Sequence, residues 1–254
     1  YSINYYEGMT LGEMWGYKCD GLFQSDEEAQ TWANYSKFTN RSATWQAGDP
    51  RYLDLNGDNI VNGGKGTLDD PGDRRVIGNS SPRYQYGASL NFSWYGFDVS
   101  VFMQGIGRLD WYPGADNLRF WGPYCRPYAT FVPKNFMSQV WSEENPDAYF
   151  PRARAYTSLN SNSGTAYYTN DRYLQNLAYC RLKNLTIGYT IPRRLTSKVG
   201  IKECRIYFSG ENLATWSALK SDFLDPEQAA ADSDKKANVY PWCKTYSIGL
   251  NLTF

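Results

Sequence analysis

The sequence predicts an all-β chain whose antiparallel strands form a sheet with one apolar and one polar face. Three observations lead there. The last ten residues, TYSIGLNLTF, set Tyr246, Ile248, Leu250, Leu252 and Phe254 on one face and Thr245, Ser247, Gly249, Asn251 and Thr253 on the other, which is the period-two alternation of a strand. Seven alternating segments of this kind occur along the 254 residues. Their connections alternate between short and long, so every long loop emerges on the same side, the arrangement of a membrane barrel with short turns at one end. A strand with such faces can border a protein core, or can face lipid outside and water inside.

In chain order, a strand stub precedes Glu7, and a short turn at 7–10 leads to a strand over Leu11 to Phe23. The long connection 24–82 opens with Ser25 and Glu28, a capping box followed by a short helical face of Ala29, Trp32, Ala33 and Ser36. In the strand Arg83 to Trp94, Tyr84, Tyr86, Ala88, Leu90, Phe92 and Trp94 oppose Gln85, Gly87, Ser89, Asn91 and Ser93. The pair Tyr95-Gly96 makes a tight turn. In Phe97 to Ile106, Phe97, Val99, Val101 and Met103 oppose Asp98, Ser100 and Gln104, with Phe102 the exception. After the long connection 107–178, Tyr179 to Ile191 sets Leu185, Ile187, Tyr189 and Ile191 against Asn184, Thr186, Gly188 and Thr190. Arg181 and Lys183 fall on its apolar parity, which costs a few kcal/mol at mid-membrane but little near a rim, so both are expected at the outer edge. A Pro- and Gly-bounded turn at 192–200, a strand over Ile201 to Asn212, a long connection 213–242 and a strand over Cys243 to Phe254 complete the chain.

Composition narrows the function. There are 22 Tyr, 12 Phe and 9 Trp, a density that suits surfaces half apolar and half wet, such as interfacial girdles or sugar-binding faces. The 26 basic and 26 acidic residues balance and form no basic stripe, which argues against a nucleic-acid partner. The chain has no histidine, removing the usual general base and any Ser-His-Asp arrangement. The adjacent pair Glu143 and Glu144 is the best acid-base candidate, but neighbours in an extended segment point apart, whereas glycosidase carboxylates must face each other. An enzyme is therefore not expected. Five widely separated cysteines support neither a zinc cluster nor a disulfide framework, and Asn-x-Ser/Thr triplets at Asn91, Asn184 and Asn251 lie inside strands, where they read as lumen-facing polar residues.

Several longer runs resemble a known family. IGNSSPRYQYGASLNFSWYGFDVSVFMQGIG (77–107), YCRLKNLTIGYTIP (179–192) and RIYFSGENLATWS (205–217) look like the C-terminal part of SusC/RagA-type TonB-linked outer-membrane proteins, as do EGMTLGEMWGYKCDGLFQS (7–25) and WSEENPDAYFPR (141–152). The resemblance implies the C-terminal portion of a 22-stranded antiparallel transmembrane β-barrel with long extracellular loops, its lumen closed by a plug. This chain would supply roughly the last third of that wall, as one C-terminal barrel segment over 1–254, with plug and signal peptide outside it. The implied activity is import of oligosaccharides or peptides across the bacterial outer membrane, with a SusD-like surface lipoprotein as lid and the TonB complex as energy source. The aromatic-terminated last strand is similar to the signal read by the barrel-assembly machinery, with Phe254 in that role.

Two loop features are candidate sites. Trp111, Tyr112, Trp121 and Tyr124, in the longest loop, could stack on sugar or peptide groups, or could hold that loop together. The run DLNGD puts Asp54, Asn56 and Asp58 at calcium-loop spacing with Ile60 placed for a backbone carbonyl. Lys65 stands where the bidentate ligand belongs, so only a shifted carboxylate such as Asp69 could complete a calcium shell, and a turn held by Asx hydrogen bonds explains the same residues. The runner-up from another class is a soluble or surface β-sandwich that binds glycans through its loop aromatics.

Overall fold

The computed structural model describes residues 2–32, 44–125, 128, 132, 134–154, 158–160, 164–221, 224–231 and 242–254. Its elements are β1 (Glu13–Gly16), β2 (Cys19–Leu22), α1 (Asp26–Thr31), β3 (Pro50–Tyr52), β4 (Arg75–Asn79), β5 (Arg83–Trp94), β6 (Phe97–Arg108), β7 (Asp110–Trp111), α2 (Leu118–Trp121), β8 (Val140–Trp141), β9 (Phe150–Arg152), β10 (Gln175–Asn176), β11 (Tyr179–Thr190), α3 (Arg193–Thr196), β12 (Glu203–Ser217), α4 (Pro226–Ala231) and β13 (Thr245–Thr253). Five of them form one antiparallel sheet in the order β13-β12-β11-β6-β5. These are the five expected wall strands from Arg83 onward, nine to fifteen residues long, enough to cross a bilayer when tilted.

Register turns the alternation of each strand into continuous rows. Phe92, Val99, Ile187, Phe208 and Ile248 are cross-strand neighbours in series, and so are Trp94, Phe97, Tyr189, Ile206 and Leu250. Beside the first of these rows, on the other face, run Asn91, Ser100, Thr186, Ser209 and Ser247. The apolar rows stand open, with Leu90, Phe92, Ile248 and Leu250 each more than half exposed. A sandwich would bury this side beneath a second sheet, and among the described residues none covers it. The soluble sandwich is therefore set aside. Aromatic side chains mark both ends of the apolar face: Trp94, Tyr95 and Phe97 at the tight turn, and Tyr84, Tyr86 and Trp216 at the loop end, as in the girdles of membrane barrels.

Two expectations need correction. A bulge interrupts β11 between Leu182 and Asn184, so Leu182 still pairs with Met103 and Ala214 while Arg181 moves opposite Gln104 and Thr215. A single inserted residue shifts the side-chain parity of everything beyond it. Arg181 thus leaves the lipid-facing parity for the polar face, where a guanidinium finds partners instead of hydrocarbon. The second concerns Leu11 to Phe23, which is not a wall strand. It splits into β1, paired with β4, and β2, paired with β3, each with a register irregularity. Tyr17, Leu22 and Phe23 are all buried, so apolar side chains of both parities need cover, which a one-sided wall cannot provide. The stub before Glu7 is represented by one bridge, Ser2 to Thr67.

The long connections pack into one loop mass at the end of the sheet away from the tight turn. Ser25 caps α1 as expected, its hydroxyl accepting from Glu28 N at 3.0 Å, while the Glu28 carboxylate accepts from Gln24 N at 2.7 Å. Ala29 is buried; Ala33 and Ser36 lie outside the described residues. Tyr17, Tyr52 and Tyr168 meet edge to face, with Trp45 against Tyr52, joining the first long connection to the second.

Candidate functional site

The polar face of the sheet and the loop mass beyond it contain the groups able to contact a solute. On the wall, Arg205 of β12 donates from Nε to Asp98 of β6 at 2.9 Å across β11. Gly188 lies beneath this pair, and a Cβ there would come within 2.6 Å of the guanidinium. Only glycine lets the pair close over the strand.

Nearer the loops, Arg181 is 1% exposed. It donates from Nε to Thr215 Oγ1 at 2.9 Å, from Nη1 to Glu227 at 2.7 Å and from Nη2 to Asp225. Lys183 reaches both Glu227 carboxylate oxygens, at 2.7 and 2.8 Å. Asp225 also caps α4, accepting from Glu227 N and Gln228 N at 3.1 Å. Two cations of β11 and two carboxylates of the last long loop therefore form one partly buried network, centred on the buried Arg181, that fastens α4 to the wall. Sequence reading missed it because Asp225 and Glu227 lie some forty residues from their partners, with no local pattern to connect them.

The four loop aromatics singled out above are buried, which supports the alternative that they hold the loop together. Trp121 and Tyr124 are each 1% exposed and pack with Phe120, Phe136, Phe150 and Tyr173. Trp111 pairs with Gln175 in the β7-β10 ladder and packs on Leu109, Leu177 and Ala229. The Tyr112 hydroxyl donates to Tyr168 O at 3.1 Å and accepts from Asn170 Nδ2 at 3.2 Å, and burial pushes its phenol well above the ordinary tyrosine range. Burial likewise raises Tyr124, whose hydroxyl is held by Pro151 O, and brings Tyr149 up to about 12. Aromatic pairs of this kind hold a large loop rigid.

Tyr112 does border open space. A cavity of about 1050 Å³ lies between the two long loops, with Trp15, Tyr112, Tyr167 and Tyr168 beside Lys65 and Arg74 on its wall. Arg74 Nη2 donates to Gly63 O at 2.6 Å, and its Nε has no hydrogen-bond partner among the described residues. The cavity combines aromatic surface with donors, a chemistry suited to ligands rich in acceptors.

The DLNGD turn closes through its own hydrogen bonds. Asp54 accepts from Gly57 N at 2.7 Å and Asn59 N at 2.8 Å, Asp58 accepts from Ile60 N at 2.7 Å, and Asn56 bonds to Asp58 both ways. Asn59 takes φ of 61°, as an asparagine can at the sixth position. The carboxylate that joins this loop to its neighbour is Asp73, fully buried and accepting from Leu55 N, Asn56 N and Asn62 N, whereas no described hydrogen bond ties Asp69 to it. Among the described residues no group of three or more His, Cys, Asp or Glu side chains is placed to hold a metal. Nothing in DDPGD distinguishes Asp73 from Asp69 or Asp70 locally; its burial selects it.

Asp49 is a second buried carboxylate that the sequence did not reveal. It is 1% exposed, lies 3.1 Å from Arg154 Nη2 and accepts from Thr165 Oγ1 at 2.9 Å and Gln46 N at 2.8 Å. Burial outweighs the arginine and pushes its carboxyl up to about 6. A carboxyl raised by folding contributes stability that is fully present below its unfolded value near 4 and is lost as pH rises through about 6. Thermal melts of the protein between pH 4 and 7 should show a loss of about 2 kcal/mol in loop stability, and Asp49→Asn should flatten that profile. An unchanged profile in the variant would show that Asp49 is not the titrating group.

Phe254 follows β13 and is 73% exposed on the apolar side, with its carbonyl accepting from Lys202 Nζ at 2.8 Å. Among the described residues no helix is long and apolar enough to cross a membrane, which says nothing about strands.

Comparison with known proteins agrees with this architecture. No family model matches the chain. It is 26% identical over 257 residues to TonB-dependent receptor P3 of Formosa agariphila, covering 98% of this chain and 22% of that protein. To TonB-dependent receptor P26 of the same organism it is 28% identical over 215 residues, covering 82% and 20%. The RagAB peptide transporter superposes with a TM-score of 0.58 at 18% identity, over 95% of this chain and 22% of that one. The RagAB peptide importer in its open-open state gives 0.53 at 19% identity, with the same coverage. The chain thus spans about a fifth of the length of the proteins it matches. Sequence likeness over nearly all its length and fold likeness over the same span converge on one conclusion: the chain is similar in sequence to TonB-dependent receptors and shares its fold with part of the RagAB transporter.

Proposed function

We propose that this chain forms C-terminal wall strands and outer loops of a 22-stranded, plugged outer-membrane importer, which takes up oligosaccharides or peptides with a SusD-like lipoprotein and draws energy from the TonB complex. The observation that carries this reading is the sheet itself, whose apolar rows face outward uncovered while small polar residues line the other side. In water such a face would aggregate; in a bilayer it is the solvated one. The loop cavity with Lys65, Arg74 and Tyr112 supplies the extracellular contact for an acceptor-rich solute. Phe254 serves as the recognition residue for barrel assembly.

The test uses the full-length receptor in its own cells. Uptake of labelled oligosaccharides and of labelled peptides is compared among wild-type, receptor-deleted and TonB-deleted strains, with affinity purification in detergent to recover a lipoprotein partner. Loss of uptake of one substrate class in both deletions, with a surface lipoprotein co-purifying, is expected. Detergent-free extraction, or uptake of both classes unchanged by the deletions, would overturn the reading.

A further inference from the structure

The connection between β11 and β12 carries charge and apolar surface that neither the wall nor the loop mass uses. Residues 192–200 form α3 and a following 3-10 turn, Ser197–Val199. Arg193, Arg194 and Lys198 are exposed, with no ion pair or side-chain hydrogen bond among the described residues. Leu195 and Val199, one turn apart, are 60% and 70% exposed, while Thr196 between them is buried. This is a small amphipathic element with its apolar pair and its cations both open to the surroundings.

Its place makes that exposure informative. β11 and β12 are interior strands of the sheet, flanked by β6 and β13, so strands outside the described chain do not border it. The turn lies beside the Tyr95-Gly96 turn, since Thr190 N donates to Gly96 O at 2.7 Å, and it adjoins the aromatic end of the apolar face formed by Trp94, Phe97, Tyr189 and Ile206. Carboxylates at this end fall on the polar parity: Asp98 is engaged by Arg205, and Glu203 shares the parity of Arg205 on β12. The free cations therefore continue the lipid-facing surface at the level where headgroups begin.

We infer that the 192–200 turn docks on anionic glycerophospholipid headgroups of the leaflet facing the short turns, with Arg193, Arg194 and Lys198 on the phosphates and Leu195 and Val199 at the acyl boundary. Interfacial elements bind by this combination of buried apolar area and charge. The inference rests on the barrel-wall reading proposed above.

The experiment measures lipid retained by the purified full-length receptor. Wild type and the triple variant Arg193→Gln, Arg194→Gln, Lys198→Gln are delipidated in detergent, incubated with phosphatidylglycerol or phosphatidylethanolamine, and weighed intact by native mass spectrometry. The expected result is preferential retention of phosphatidylglycerol by wild type, reduced at least about fivefold in the triple variant, and a smaller loss of both lipids in Leu195→Ser, Val199→Ser. Added inorganic phosphate should not displace the lipid from wild type. Equal retention by wild type and triple variant overturns the inference, as does displacement by free phosphate. If the triple variant keeps its lipid but gains protease sensitivity in the rest of the receptor, the occupant is another part of the same chain and the inference is also overturned. A receptor that stays soluble without detergent would instead refute the wall reading on which all this stands.

Discussion

Replacing Arg181 with alanine should destabilise the receptor by about 3 to 5 kcal/mol, the range for removing one partner of a buried ionic network. Arg181 is 1% exposed, and its loss strips Asp225 of its cation and leaves Glu227 with Lys183 alone. Asp225 also caps α4, so the damage should reach that helix. In hydrogen exchange, the last described loop and α4 should lose protection while the β12-β13 ladder keeps it. Adding Asp225→Asn should recover part of the loss, since the carboxylate left without a cation then disappears while Glu227 keeps Lys183. A melting curve indistinguishable from wild type would refute the role given to this network.

Charge placed on the two faces of β11 should separate them just as clearly. Ile187 sits in the middle apolar row between Val99 and Phe208, and Ile187→Arg should cost about 2 to 4 kcal/mol of folding stability in the membrane. Thr186, its neighbour, pairs with Ser100 and Ser209 on the polar side, and Thr186→Arg should leave assembly intact while altering passage of solute. Heat-resistant migration and folded yield of the full-length receptor from membranes give the readout. Equal tolerance of both substitutions would mean that the apolar rows do not meet lipid.

Legibility in the sequence followed the range of the forces involved. The five wall strands could be read because a barrel wall has one periodicity and two solvents, so each residue of Tyr246 to Phe254 declares its face without help from distant contacts. The run Leu11 to Phe23 misled because its alternation is local while its burial is not. Tyr17 and Phe23 are covered by Tyr52, Trp45 and Tyr168, residues from other segments. Trp121 and Tyr124 were candidates for ligand stacking since composition cannot distinguish an aromatic core from an aromatic platform.

The sequence by itself determined which residues can meet lipid, where the chain turns tightly, and the family to which its longer runs are similar, because alternation, turn chemistry and motif order are properties of neighbours along the chain. Tertiary structure alone decided the bulge at Lys183 that carries Arg181 to the polar face, the choice of Asp73 over Asp69 at the DLNGD loop, and the raised carboxyl of Asp49. Each depends on partners far away in sequence and on exclusion of water, since the energy of a buried charge is set by what surrounds it once the chain has closed.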